Sequence, residues 1–345
     1  MNRLDDRILV VGPSWVGDMV MSQSLYQVLA LTRPNATIDV LAPEWSQPLL
    51  DRMPEVNRGL TKRIDHGELA LGRRRKLGRS LRNSYDQAIV LPNSLKAALV
   101  PMLARIPRRT GWRGEMRYGL LNDLRRLDES ALPLMVERFV ALGLEPGAPL
   151  PDPVPRPKLT VNPLQARNCA DGVGLLPDRP LLALCPGAEF GGAKRWPSAH
   201  YAALADNYLS QGWQVVLFGS ARDREVTSAL TAQAKGTGIV DLAGETTLSD
   251  AIDLLSLADA VVSNDSGLMH IAAALDRPLL AIYGATSPGF TPPLGFRAST
   301  LVSEIECAPC FERECPLGHH RCMRETLPPT AIATLDAQLR NQEDG

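Results

Sequence analysis

Residues 263–270 (SNDSGLMH) form a short polar segment between an apolar run and a run of small residues. This order predicts the end of a β-strand, a tight loop and the first turns of a helix. The unpaired N–H groups and positive dipole end of such a helix favour a bound phosphate. We expect Asp265 and Ser266 to cap the helix. Gly267 would let a ligand approach the backbone, and His270 would lie in the first turns. An ordinary capped strand–helix junction would show the same pattern, so the segment alone leaves both interpretations open.

Two further loops in the second half of the chain carry residues suited to a nucleotide. Residues 186–197 (PGAEFGGAKRWP) combine flexible glycines with Lys194 and Arg195, which can neutralise a leaving diphosphate. Residues 219–223 (GSARD) follow another apolar run and could contact a nucleoside or form a plain turn. No carboxylate pair suited to Mg²⁺ stands out in the sequence. We therefore expect a diphosphate to rely on Lys194 and helix dipoles, with no metal required for catalysis.

The first half of the chain has a different loop, residues 12–18 (GPSWVGD). It is not a P-loop, because Gly17 is followed by an acid, and it lacks the glycine pattern of a dinucleotide-binding loop. An acid at this position would repel a diphosphate. Asp18 is instead placed to act as an ionised general base at a helix start. The alternative is that Asp18 only caps the helix.

Charge is unevenly distributed along the chain. The net charge is −1, but residues 58–126 contain 17 Lys and Arg against 5 Asp and Glu, a balance of +12. Such a stretch favours phosphate-bearing partners, namely nucleic acid, anionic lipid or a phosphorylated glycan, unless it is merely a solvated helix face. Most of the excess lies in two clusters: Arg73, Arg74, Arg75, Lys76, Arg79 and Arg82, and Arg105, Arg108, Arg109, Arg113 and Arg117.

Four of the six cysteines lie close together near the C-terminal end. A Cys-x₂-Cys pair followed by two more cysteines within a short segment resembles a structural zinc site. Its spacing matches no standard zinc finger, so reduced thiols or a redox pair remain alternatives. The candidate zinc ligands are Cys307, Cys310, Cys315 and Cys322.

Alternating apolar runs and helical segments predict an α/β protein with two Rossmann-like halves. Residues 146–163 are proline-rich and predict the linker between the halves. We therefore expect domains at residues 1–160 and 161–345, the second including the cysteine-rich segment 307–322. The default binding place in such a fold is a cleft at the carboxyl ends of the strands. No apolar run is long enough to span a membrane, and the acidic residues Asp5 and Asp6 directly before the first apolar run are unlike a signal peptide, so we expect a cytoplasmic location.

The chain resembles the ADP-heptose:lipopolysaccharide heptosyltransferases of glycosyltransferase family 9. The resemblance is carried by residues 12–24 (GPSWVGDMVMSQS), 90–123, 185–197 (CPGAEFGGAKRWP) and 264–270 (NDSGLMH), and with the connecting pattern it covers nearly the whole chain. The first-loop tryptophan and the run RTGWRGEMRYGLLND look most like the members that add the second heptose of the inner core. The resemblance implies the GT-B fold, in which two Rossmann-like domains face each other across a cleft.

The resemblance also implies an inverting, metal-independent transfer from ADP-L-glycero-D-manno-heptose to heptosyl-Kdo2-lipid A. Asp18 matches the family's general base, and Lys194 matches the lysine near the donor phosphates. The donor motif of the family, often Asp-Thr-Gly-x-x-His, has serine in place of threonine here and keeps the hydroxyl. Its matching residues are Asp265, Ser266, Gly267 and His270.

The implied acceptor is a lipid-anchored, phosphorylated glycan, so we expect the basic stretch to face it. Arg109, Arg113 and Arg117 are the candidate contacts. The implied partners are the ADP-heptose donor, the lipid A-Kdo-heptose acceptor and the cytoplasmic face of the inner membrane of a Gram-negative cell, with no role for nucleic acid.

Three alternatives stay open at this point. The chain could be the family member that adds the first heptose, or another heptosyltransferase of family 9. It could belong to a different class, the NAD(P)-dependent Rossmann oxidoreductases, although the missing dinucleotide loop argues against this. It could also be a non-catalytic binder of anionic glycolipid.

Overall fold

The computed structural model describes residues 6–61 and 68–343 of the 345-residue chain. Asp5 and residues 62–67 of the basic stretch lie outside the described residues. The chain divides into two compact units, Met1–Lys158 and Leu159–Gly345. None of the helices in the described ranges is long and apolar enough to cross a bilayer.

The first unit contains a six-stranded parallel sheet in the order β3-β2-β1-β4-β5-β6. Its central strand is almost entirely buried, because helices cover both faces of a parallel sheet. Its strands are β1 (Arg7–Val11), β2 (Thr37–Ala42), β3 (Arg58–Thr61), β4 (Gln87–Val90), β5 (Arg108–Trp112) and β6 (Asp123–Arg125).

The helices of the first unit follow the strands in βαβ order. Residues 19–31 look like a single helix in sequence, but the structure breaks there at Ser22, whose hydroxyl donates to the Met19 carbonyl at 2.7 Å. A serine that bonds its preceding turn competes with the helical ladder. The helices are α1 (Val16–Met21), α2 (Gln23–Thr32), α3 (Gln47–Leu50), α4 (Leu71–Ser80), α5 (Leu95–Leu103) and α6 (Met135–Gly143).

The proline-rich segment has no regular structure until α7 begins at Pro163. Its end is tied to the first unit, since the Gln23 side chain bonds both the N–H and the carbonyl of Lys158 at 2.9 and 2.8 Å. Asn162 then caps the next helix by accepting the N–H groups of Leu164 and Gln165. Proline is well tolerated at this first helical position.

The second unit repeats the same design with the strand order β12-β11-β10-β7-β8-β9, again parallel throughout. Counted from the first strand of each unit, both orders read 3-2-1-4-5-6, which is the doubly wound Rossmann order. The predicted α/β class and two-Rossmann fold are therefore confirmed. The strands are β7 (Leu181–Cys185), β8 (Gln214–Leu217), β9 (Ile239–Asp241), β10 (Ala260–Asn264), β11 (Leu279–Tyr283) and β12 (Ala298–Val302).

The core of the second unit is built on large aromatic residues. Trp196, Tyr201 and Tyr208 are essentially inaccessible and pack with the apolar faces of β7, β8 and β10. Their polar atoms are satisfied: Trp196 Nε1 donates to the Thr326 carbonyl at 2.7 Å and the Tyr208 hydroxyl to Asp336 at 2.7 Å. The helices are α7 (Pro163–Gly172), α8 (Ser198–Ser210), α9 (Arg224–Gln233), α10 (Leu248–Leu255), α11 (Gly267–Ala274), α12 (Arg321–Arg324) and α13 (Pro328–Glu343).

Candidate active site

Strand order in the second unit reverses between β7 and β10, which are hydrogen-bonded neighbours. Ligands of doubly wound folds bind outside the carboxyl ends of the strands at such a reversal. The loop after β7 contains a 3-10 turn, Gly192–Lys194, and β10 leads directly into α11. The two most phosphate-friendly sequence segments therefore lie side by side.

Lys194 and Asp265 form a close ion pair at this point. Lys194 Nζ lies 2.6 Å from Asp265 Oδ2, and the two side chains are 13% and 5% exposed. The Thr286 hydroxyl donates to the same oxygen at 2.7 Å from the loop after β11. A buried carboxylate needs this compensation, because an unpaired charge there would be costly. Lys194 keeps further N–H donors for a ligand.

The start of α11 differs in detail from the expectation. Ser266 occupies the N-cap position, but within the described residues neither it nor Asp265 caps the helix through its side chain. The Ser266 hydroxyl lies 3.2 Å from that of Ser263, and Asp265 is engaged by Lys194 and Thr286. The predicted N-cap position of Ser266 is therefore confirmed, but the part of the chain that the structure describes shows no capping hydrogen bond from either side chain. Backbone N–H groups of the first turn are left to meet an anion, which is the arrangement that suits a phosphate.

His270 lies in the first turns of α11, as the segment predicts, and is only 5% exposed. Burial lowers the pKa of its imidazole to about 4; the Asp265 carboxylate opposes this shift and the Lys194 ammonium adds to it. The ring is therefore neutral near pH 7. It can donate or accept a hydrogen bond, but it does not add a second positive charge to Lys194.

Asn264 joins the two loops and was not singled out from the sequence. Its side-chain oxygen accepts the Trp196 N–H at 3.1 Å and the Tyr201 hydroxyl at 3.0 Å, and its amide donates to the Pro186 carbonyl at 2.7 Å. An asparagine at the end of an apolar run is a weak sequence signal, and only the structure shows that this one is fully buried. Thr286 offered no comparable signal in the sequence.

Residues 219–223 form a capped turn. Asp223 Oδ2 accepts both the N–H and the hydroxyl of Ser220, at 2.9 and 2.8 Å, and Arg195 lies 3.8 Å from the other carboxylate oxygen. A Cβ on Gly187 would come within 2.5 Å of the same carboxyl group, so that glycine is required for close approach. Arg195 thus forms a loose ion pair with Asp223.

In the first unit, Asp18 is half-buried in the first turn of α1, directly after β1. The N-cap position is held by Trp15, whose side chain is 41% exposed, and Asp18 is the third helical residue. Asp18 is therefore not the N-cap residue, although an acid in the first turn still interacts well with the helix dipole. Asp18 thus follows the carboxyl end of β1, and the general-base interpretation stays a prediction.

The three candidate acceptor arginines have different environments. Arg117 is 1% exposed and donates to the carbonyls of Pro92, at 2.6 Å, and Trp112 and to the Asn93 side chain at 3.2 Å. Arg109 donates to the carbonyls of Leu120 and Ile106, at 2.7 and 2.6 Å. Burial lowers the pKa of both guanidinium groups.

Arg113, in contrast, is exposed and lies over the Tyr118 ring at 5.8 Å. Arg109 and Arg117 therefore hold the loop that follows β5, while Arg113 presents its charge to solvent.

The other basic cluster lies on and just after α4. Arg74 is buried and donates to the carbonyls of Leu69, Lys96 and Glu68. The remaining members are exposed along the helix and its end: Arg73, Arg75, Lys76, Arg79 and Arg82. The helix is thus anchored by one arginine and displays the other basic residues.

The four cysteines line one small cavity together with His319. Among the residues that the structure describes, no group of three or more His, Cys, Asp or Glu side chains is arranged to hold a metal ion. Cys322 is instead buried in the core of the unit, whereas the Cys315 sulfur accepts the His320 N–H at 3.4 Å. That backbone hydrogen bond lowers the pKa of Cys315, while burial raises the pKa of Cys322. The four-thiolate zinc site predicted from the spacing is therefore not formed.

Comparison with known proteins adds a family assignment to this geometry. Residues 74–321 match the model of glycosyltransferase family 9 (heptosyltransferase). The chain is 50% identical to lipopolysaccharide heptosyltransferase 2 of Escherichia coli K12, over 98% of this chain and 99% of that protein. It is 48% identical to lipooligosaccharide heptosyltransferase 2 of Haemophilus influenzae, over 96% and 99% of the two chains. The structure of E. coli ADP-heptose lipopolysaccharide heptosyltransferase II superposes with a TM-score of 0.88 at 49% identity, covering 98% and 99% of the two chains.

Proposed function

We infer the function of this chain from one premise: it belongs to glycosyltransferase family 9, the heptosyltransferases. It is a glycosyltransferase of lipopolysaccharide core biosynthesis, acting as heptosyltransferase II. The observation that carries this assignment is about 50% identity to heptosyltransferase 2 proteins over nearly the full length of both chains. Neither the oxidoreductase nor the non-catalytic binder accounts for a full-length match of that strength.

The donor in this proposal is ADP-L-glycero-D-manno-heptose, bound by the second unit. Lys194 contacts the diphosphate with an N–H that Asp265 does not use, and the N–H groups at the start of α11 receive a phosphate oxygen. Gly267, the first residue of that helix, allows the approach, Ser266 offers a hydroxyl, and neutral His270 supports the loop or donates a hydrogen bond. These groups stabilise the negative charge that builds on ADP as it leaves.

The acceptor side is assigned to the first unit, with Asp18 as the general base. Its carboxylate takes the proton of the acceptor hydroxyl as that oxygen forms a bond to the anomeric carbon of the heptose. The bond from the anomeric carbon to the phosphate oxygen breaks in the same step, and its electron pair leaves with ADP. A single displacement of this kind inverts the configuration at the anomeric carbon. No step in this scheme requires a metal ion or another cofactor.

The acceptor is heptosyl-Kdo2-lipid A, which bears negative charge and a lipid anchor. Arg113 is the candidate for direct contact with it, and Arg109 and Arg117 support the loop on which Arg113 stands. The exposed basic face of α4 would place the enzyme against the anionic cytoplasmic surface of the inner membrane. This peripheral contact suits a chain whose substrate is anchored in lipid.

The test is transfer measured on two defined acceptors, Kdo2-lipid A with and without the first heptose, using purified protein and ADP-heptose. We expect ADP release and a mass gain of one heptose on the heptosylated acceptor only, with activity unaffected by EDTA. Activity only on the acceptor that lacks heptose would assign the chain to the first transfer step. An enzyme inactive on both acceptors would contradict the proposal.

A further inference from the structure

The loop that carries Lys194 is held from outside by residues 311–314, here called the supporting segment, which belong to the cysteine-rich region. Ala193 N–H donates to the Arg313 carbonyl at 3.0 Å. Gly192 N–H donates to Glu314 Oε1 at 3.1 Å. Both amides lie in the 3-10 turn Gly192–Lys194. The turn is too short to satisfy its own backbone, so its shape depends on acceptors supplied by the supporting segment.

Close packing adds to these hydrogen bonds. A Cβ on Gly191 would lie 2.2 Å from the Arg313 carbonyl oxygen, and a Cβ on Gly192 would lie 2.9 Å from Glu314 Oε2. Gly191 has an extended backbone that any residue can adopt, so the constraint there is space. The two segments therefore approach each other as closely as glycine allows.

The aromatic ring of Phe190 is a second link between the supporting segment and Lys194. Lys194 Nζ lies 4.8 Å from the centre of the ring, and the Arg313 guanidinium lies 5.3 Å from it. Both distances are within the range of cation–π contacts. The same lysine is thus positioned by Asp265, by the Phe190 ring and by the backbone turn in which it stands.

The supporting segment is itself fixed to the sheet. Phe311 N–H donates to the Ala285 carbonyl at 2.7 Å, just beyond the end of β11. Further along the chain, Cys322 and Met323 are buried in the core, and a Cβ on Gly284 would come within 3.0 Å of the Cys322 sulfur. Because the supporting segment is anchored in this way, it can hold the Lys194 loop in a fixed position relative to the sheet.

We propose that the supporting segment positions Lys194 for the donor diphosphate and that Glu314 is a positioning residue of the transfer reaction. The inference rests on the proposed function, because it assumes that Lys194 binds the donor. Glu314 acts through the Gly192 amide and does not touch substrate. Its effect is therefore on binding of the donor and not on activation of the acceptor.

The experiment compares Glu314→Ala, Glu314→Gln and Glu312→Ala in the full-length chain. Glu314→Ala removes the acceptor of the exposed Gly192 N–H hydrogen bond, and we expect KM for ADP-heptose to rise about three- to tenfold, the range of one charge-assisted hydrogen bond. KM for the lipid acceptor should stay within about twofold of wild type, and kcat should fall by no more than the factor by which donor KM rises, because Lys194 also stabilises the leaving diphosphate. Glu314→Gln keeps an oxygen acceptor and should restore most of the donor affinity.

Glu312 is the matched control. It lies two residues away in the same exposed segment, and the described part of the chain shows no ion pair or hydrogen bond for its side chain. Glu312→Ala should leave the donor and acceptor KM values unchanged. In a second variant, Gly191→Ala, the added Cβ would clash with the Arg313 carbonyl and push the Lys194 loop away from the supporting segment, while Glu314 is unchanged. This variant should also raise KM for the donor selectively. Thermal unfolding of each variant shows whether it is folded.

The outcomes separate this inference from the function on which it rests. An inactive wild-type enzyme would defeat the proposed function. An active wild-type enzyme with unchanged donor KM in folded Glu314→Ala would overturn the positioning role alone. Equal increases in KM for donor and acceptor, or no rescue by Glu314→Gln, would also overturn it, because they indicate general structural damage.

Discussion

The two units share one strand order, but the loops at the point where that order reverses carry different charged groups. In the first unit, the loop after β1 leads to Asp18, a half-buried carboxylate in the first turn of α1. In the second unit, the loops after β7 and β10 bring Lys194 against Asp265 at 2.6 Å beside the start of α11. The topology fixes the place of a site, and the loop residues determine its charge. In the proposed function, the same Rossmann frame serves proton removal in one unit and anion binding in the other.

Neutralising Asp18 tests the acidic half of this comparison and has the largest expected effect. Asp18→Asn keeps the size of the side chain but cannot take a proton, so kcat should fall about 10³-fold, within the range of general-base catalysis. The donor half should be untouched, with ADP affinity by calorimetry equal to that of wild type. Steady-state transfer and ADP titration of the same preparation measure both.

Asp51→Asn is the control for that prediction. Asp51 is an exposed acid of the same unit at the end of α3, and its replacement should change neither kcat nor ADP affinity. Near-normal turnover in Asp18→Asn would show that Asp18 is not the general base. The proposed contrast between the two units would then be wrong.

The Lys194–Asp265 pair tests the basic half. Lys194→Ala should lower kcat/KM for ADP-heptose about 10²-fold, because the leaving diphosphate loses its cation. Asp265→Asn should cost less, since it keeps the Thr286 contact but releases the lysine. If the two act as a unit, the double variant should be little worse than Lys194→Ala.

Lys235→Ala, an exposed lysine of the same unit, provides the comparison for a simple loss of charge. Multiplicative effects in the Lys194–Asp265 double variant would show that the buried contact is incidental to donor binding. An unaffected donor KM in Lys194→Ala would place the diphosphate elsewhere.

The fold was readable from the sequence wherever strands are buried on both faces. The apolar runs of β1, β7 and β11 predict strands, because an inner strand of a parallel sheet is buried on both faces and is therefore hydrophobic along its length. The sequence does not reveal edge and near-edge strands such as β5 and β6, because charged residues, Arg108 and Asp123 among them, interrupt the alternation of apolar residues. Tertiary pairing, not local pattern, makes these segments strands.

The site was predictable residue by residue but not as an arrangement. Lys194 and Asp265 each stood out in a loop after an apolar run, yet they lie 71 positions apart, and their contact depends on the β7–β10 pairing. Thr286 and Asn264 were missed because threonine after a strand and asparagine before an aspartate are common. The sequence offers Arg117 as a candidate contact with the acceptor, whereas folding buries it against backbone carbonyls.

Arg113 extends the comparison to the acceptor, with a smaller expected effect. Its guanidinium is exposed beside Tyr118, so Arg113→Ala should raise KM for the acceptor about three- to tenfold and leave KM for the donor unchanged. Arg126→Ala, an exposed arginine of the same unit, should change neither. An increase in donor KM in Arg113→Ala would contradict the division of substrates between the units.

His270 gives the smallest effect, visible in stability and not in turnover. Burial lowers the pKa of the imidazole from 6.5 to about 4 in the folded protein, so the unfolded chain binds more protons between these pH values. The neutral ring therefore makes its full contribution to the free energy of unfolding above pH 6.5. This contribution is lost as the pH falls from 6.5 towards 4. Thermal unfolding of His270→Gln should consequently depend less on pH across this window than that of wild type.

The same unfolding measurement also tests whether His270 carries a positive charge beside Lys194. If His270 stays neutral, it adds no charge beside Lys194, and KM for ADP-heptose, whose diphosphate diester has no proton that titrates in this range, should be flat between about pH 6 and 8. Parallel unfolding curves for wild type and His270→Gln would show that the ring titrates alike in the folded and unfolded chains. A protonated His270 would then share the diphosphate with Lys194, and donor binding would weaken as the pH rises. The positive charge that distinguishes the second unit from Asp18 of the first would then come from both Lys194 and His270.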